Sequence, residues 1–109
     1  MLISFFKTAF APAVATRGLM HYWRGNYQKS CEFLKKAELW DPGIIKGSIF
    51  EAGLGLALHH LGRPEEATPL LMSAQNHLSK LSTHNKEIAS AEHQMLKEIN
   101  QILSSSNVL

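Results

Sequence analysis

Six histidines, one cysteine and a few neighbouring acids are the side chains here that could hold a metal, carry a proton or attack a substrate. Two histidines that share a metal on one helix stand four residues apart, so that both reach the same point. His59 and His60 are adjacent and would diverge by ~100° on a helix. His21, His77, His84 and His93 have no histidine four positions away, so no metal site is expected. Glu65 and Glu66 form a carboxylate pair, but they open a helical stretch, where acids meet the positive end of the helix dipole. Gly53-Leu54-Gly55 lacks the lysine of a phosphate-cradling loop, and no serine is flanked by the glycines of a nucleophile elbow. Cys31 is the single cysteine. It excludes an intrachain disulfide, points to a reduced cytoplasmic setting, and reads as a small buried apolar side chain. These residues predict no enzyme and no cofactor, which leaves binding.

The elements that must position a binding surface are legible as a repeat. Ala15, Gly18, Leu19, Gly25, Leu34 and Ala37 recur 37 positions later as Ala52, Gly55, Leu56, Gly62, Leu71 and Ala74. Gly18 and Gly55 interrupt apolar stretches of helical period, where glycine costs about 1 kcal/mol against alanine. Close approach of a second helix accounts for them. Gly25 and Gly62 end those stretches, and Asn26-Tyr27 and Arg63-Pro64 open a second helix in each copy. Each copy is helix, tight turn, helix.

These spacings resemble the tetratricopeptide repeat. Leu54-Gly55, Ala57, Leu58, the turn Leu61 to Ala67, Leu71 and Ala74 stand at that family's intervals in the second copy. The first offers Gly18, Gly25-Asn26-Tyr27, Ser30, Leu34, Ala37 and the closing Trp40-Asp41-Pro42. Arg17 replaces the family's leucine, and Val14 and Glu51 its tryptophan. The period exceeds the usual ~34 residues, and the linker 41–47 takes up the surplus. Pro69 lies where a proline removes a backbone hydrogen bond, which predicts a kink or a late helix start near Thr68. The resemblance implies an all-α, right-handed superhelical stack of antiparallel helix pairs, a tetratricopeptide-like α-solenoid of about five helices plus a short N-terminal segment. Its parts are an apolar segment 1–10, repeat 1 over 11–42, repeat 2 over 48–80 and a capping helix over 83–104.

The chain's 109 residues suffice for one core. No stretch reaches the ~20 consecutive apolar residues of a membrane span. In the first ten residues, Leu2, Ile3, Phe5, Phe6 and Phe10 surround a single charge, Lys7. A secretory signal carries its positive charge ahead of the apolar run, although Ala9-Phe10-Ala11 and Ala13-Val14-Ala15 imitate cleavage sites. An interfacial anchor has a basic face, for which one lysine is thin support. Protein packing is the favoured reading, on the open end of the stack or on the same segment of a second chain. Near the other end, Ile88, Ala91, Met95, Ile99 and Ile102 share one helical face, suited to capping the last hairpin. The seven-residue spacing of Ile88, Met95 and Ile102 also fits a seam between two chains.

What the resemblance implies for the site is a concave groove lined by the first helix of each pair, residues 12–24 and 49–61. There the sequence places Ala15, Leu19, Tyr22, Trp23, Ala52, Leu56, His59 and His60. The family's clamp for carboxylate tails uses lysine, asparagine and arginine, which these positions lack; an apolar peptide or helix suits the wall better. Tyr22 and Trp23 could equally pack on the chain's own helices, which would plug the groove. Residues 1–47 hold seven Lys/Arg against three acids, and residues 48–109 four against six, giving +4 and −2. Opposed charge favours self-association. Arg24, Lys29, Lys35, Lys36 and Lys46 are interleaved with Glu32, Glu38 and Asp41, and no recognition motif accompanies them, so nucleic acid is not expected. The expectation is a protein-binding scaffold or adaptor without a membrane or nucleic-acid role, the alternative being a homodimer joined through the N-terminal segment or the last helix.

Overall fold

A computed structural model describes the backbone of residues 2–84 and 90–106. The chain folds as five α-helices: α1 (Leu2–Trp23), α2 (Tyr27–Trp40), α3 (Ile49–His60), α4 (Pro64–His84) and α5 (Ser90–Ser106). No strand occurs among the described residues, and the all-α expectation holds. Helices α1 and α2 form one antiparallel hairpin, α3 and α4 a second, and α5 packs on both helices of the second as α3 packs on both helices of the first.

The two hairpins turn identically. Gly25 and Gly62 adopt φ of 81° and 76°, a left-handed conformation that glycine enters without Cβ strain. Around Gly25, the N–H of Arg24 donates to Met20 O, that of Gly25 to Tyr22 O and that of Asn26 to His21 O. Leu61, Gly62 and Arg63 donate to Ala57, His59 and Leu58 in the same order. Each bond is displaced by 37 residues, and each set satisfies the carbonyls a helix end leaves open.

Helix α3 occupies the centre. It touches every other helix, and its eight residues from Glu51 to Leu58 are all buried, as befits a helix apolar on all sides. Ser48 caps it, its Oγ accepting from the N–H of Phe50 at 3.2 Å. In the connection before it, Ile45 is inserted into the core.

Two expectations need correction. The N-terminal segment is not a separate piece, because α1 runs from Leu2 through the first helix of repeat 1 to Trp23. Thr8 Oγ1 donates to Trp40 O at 3.4 Å, which sets the end of α2 level with the second turn of α1. Nor does α4 start late at Thr68: it begins at Pro64 and continues through Pro69. Pro69 and Glu65 are both exposed, so water can serve the Glu65 carbonyl that Pro69, lacking an N–H, leaves unbonded.

Candidate protein-binding groove

Five of the eight groove residues are not open to a ligand. Ala15, Ala52 and Leu56 are fully covered and Leu19 and Tyr22 nearly so, all within one core cluster. Leu19 presses on α3 where Gly53 leaves room: a Cβ there would stand 2.5 Å from Leu19 Cδ2. His59 is half-buried, while Trp23 and His60 are exposed. The residues are brought together as expected of neighbours on α1 and α3, but as core, with only the last turns of those helices reaching solvent.

Helix α5 is the next rod of the stack, packed on α3 and α4 with Met95 and Ile99 buried in the same core cluster. Between them in sequence stands Glu98. Its Oε2 accepts from the Tyr22 hydroxyl at 2.8 Å, and its Oε1 lies 2.8 Å from His60 Nε2, which as the Nε2–H form donates to it. The His60 ring is stacked on Tyr27 with centroids 4.3 Å apart and planes 12° from parallel, and Tyr27 in turn meets Tyr22 at 5.9 Å. One carboxylate thus joins α1, α3 and α5, with α2 holding the imidazole from behind. Further along, Gln75 Nε2 donates to Asn100 Oδ1 at 2.7 Å and ties α5 to α4.

The electrostatics follow from burial. Loss of water around Tyr22, reinforced by the Glu98 carboxylate on its hydroxyl, pushes the phenol pKa far above its ordinary value. Its proton stays in the bond to Glu98, so Tyr22 acts as a tie between α1 and α5. Burial likewise raises the Cys31 thiol, against the opposing pull of Lys35, which makes it a poor nucleophile. Among the described residues, no three of His, Cys, Asp and Glu converge as metal ligands, and no helix is long and apolar enough to cross a membrane.

Sequence reasoning missed Glu98 and Tyr27 as members of the site. For Glu98 a signal existed: it lies three residues after Met95 and four before Ile102, so it shares their helical face, where an acid needs a partner. The seam between two chains suggested by Ile88, Met95 and Ile102 is in part used internally, with Met95 buried and Ile102 packed against the core; Ile88 lies outside the described residues. What the fold and site define is an all-helical chain of two repeated hairpins with a fifth helix packed on the second. No family model, no curated protein and no solved structure matches it.

Proposed function

We propose that this chain is a protein-binding module built as a tetratricopeptide-like stack, and that the seat of its fifth helix, on α3 and α4 beside Tyr22 and His60, is shaped for an amphipathic helix with an acid on its apolar face. The observation that carries this is α5 itself. It is such a helix, held on the stack by buried Met95 and Ile99 and by the two 2.8 Å bonds of Glu98. A partner helix of the same pattern would compete with it.

Support for the stack comes from the recurrence of contacts at 37 residues, in the turns and in the glycine sites alike, and from α5 standing to the second hairpin as α3 stands to the first. A scaffold or adaptor role follows, without catalysis, cofactor or nucleic acid, in the cytoplasm. The alternative is a homodimer through the N-terminal segment or the last helix; the second route is less favoured because α5 already buries Met95 and Ile99 inside its own chain.

The test is photocrosslinking from the groove lip in the native host, with benzoylphenylalanine replacing half-buried His59. Crosslinks to a helical segment of another protein are expected, rising when Glu98→Ala loosens α5. Crosslinks to this chain alone, in both forms, would exclude the reading.

A further inference from the structure

The hairpin stack leaves one long face of α1 open. Phe6, Phe10, Ala13, Arg17, Met20 and, just beyond the helix end, Arg24 follow each other at intervals of four and three residues. That is the 3.5-residue spacing with which one helix presents a seam to another. All six are exposed, Phe6 to 51%, Phe10 to 55% and Met20 to 44%, and the rings of Phe6 and Phe10 stack at 6.3 Å. Another side of α1, with Ala11, Ala15, Leu19 and Tyr22, is already buried. The helix is therefore apolar on two sides, and packing within the chain explains one of them.

The repeat shows how unusual this exposure is. The counterparts of Arg17 and Met20 in the second hairpin are Leu54 and Ala57, both buried inside the stack. The equivalent face of the first hairpin remains open and has acquired charge. Beside it lies a cleft of about 510 Å³, in which Arg17, Met20 and Arg24 face Lys29 and Phe33 of α2. The Arg17 guanidinium stands 6.0 Å from the Phe33 ring centre, and Phe33 is stacked on His21 at 5.3 Å. The acid of the cleft, Glu32, already accepts from Gln28 at 3.3 Å.

We propose that this stripe is a second docking surface, distinct from the groove, and that it takes a helix of another protein with apolar residues at three-four spacing and acids placed to meet Arg17, Arg24 and Lys29. Charge selects this occupant over a second copy. Helix α1 contains no aspartate or glutamate, so α1 against α1 would bring Lys7 and Arg17 of both chains together with no carboxylate on either helix to neutralise them. Apolar contact with Phe10 and Met20 supplies burial, and the cations fix register and sign. The stripe and the groove are different faces of α1, so the two readings stand or fall separately.

The experiment measures fluorescence anisotropy of a labelled helical peptide, about three heptads long with leucine at a and d and glutamate at e and g, against the full chain. A twin peptide carries glutamine for every glutamate. The glutamate peptide is expected to bind at least about tenfold more tightly, and to lose about tenfold or more in the Arg17→Glu/Arg24→Glu chain and in Phe10→Ser/Met20→Ser. Lys46→Glu, an exposed change off the stripe, should leave affinity unaltered, and far-ultraviolet circular dichroism of each variant confirms that its helices are retained. Absence of binding, equal binding of the twins, or indifference to the stripe variants would overturn the proposal. So would a wild-type dimer in sedimentation equilibrium that Phe10→Ser dissolves, since the occupant would then be a second copy.

Discussion

Gly18 lies against Leu34, and 37 residues further along the chain Gly55 lies against Leu71. A Cβ on Gly18 would stand 2.7 Å from Leu34 Cγ, and one on Gly55 would stand 2.9 Å from Leu71 Cδ2. The same pair of residue types makes the same close approach in each hairpin, which is why the first and second helices of each pair can pack with a glycine between them.

Alanine at these glycines sets two opposing effects against each other. The helix gains about 1 kcal/mol from the better helix former, while overpacking costs about 1–3 kcal/mol. At Gly18 the obstacle is the branch carbon of Leu34, with the Leu34 backbone nitrogen at 3.2 Å behind it. Gly18→Ala is therefore expected to destabilise by about 1 kcal/mol, lowering Tm by about 5 °C. At Gly55 the nearest atom is the end of a leucine side chain, so Gly55→Ala should cost less. Thermal unfolding of the two variants side by side checks the order.

The carboxylate of Glu98 is shared by Tyr22 and His60, so the pairs should be coupled. Tyr22→Phe is expected to cost about 1.5 kcal/mol, at the lower end for a bond to a charged group because Glu98 is partly solvated. In the Glu98→Ala background the same change should cost much less. A double-mutant cycle by urea unfolding that returned simple additivity would remove the tie.

Tyr22 also sets an alkaline limit. Its phenol pKa is raised by folding, first through burial and then through Glu98, so above about pH 10 the folded state holds a proton that the unfolded state has lost. The contribution is complete below that pH and declines as pH rises toward the folded value. Stability measured between about pH 9 and pH 11 should fall more steeply for the wild-type chain than for Tyr22→Phe.

Ser30 is wholly buried, and its Oγ finds no hydrogen-bond partner among the described residues. Ser30→Ala removes an unsatisfied polar atom and substitutes a better helix former. A gain of about 1 kcal/mol in chemical unfolding is expected. A loss would show that the hydroxyl is bonded in solution.

The hairpins were legible in the sequence because small residues and turn glycines act locally. Gly25 and Gly62 mark their turns by needing a positive φ, and Gly18 and Gly55 mark contacts made a few turns away along one hairpin. The tie between the first and last helices was not legible, because Tyr22 and Glu98 are 76 positions apart and nothing near Tyr22 announces a carboxylate. Leu19, Ala52 and Leu56 belong to one core cluster, and whether such a face meets solvent or another helix depends on packing between elements that no local pattern records. The late start near Thr68 does not occur for a related reason: a proline's penalty depends on whether the orphaned carbonyl reaches water, and here Pro69 and Glu65 are both exposed.

The central claim, that the seat of α5 selects a helix by its acid as well as its apolar residues, is tested most directly by adding labelled peptides in trans. A peptide of residues 90–106 and its Glu98→Ala form are titrated against the full chain carrying Glu98→Ala, whose own α5 has lost both polar ties. The account predicts that the native peptide binds at least about tenfold more tightly and that Tyr22→Phe in the receiving chain erases much of the difference. Equal affinities, or no binding of either peptide, would contradict it.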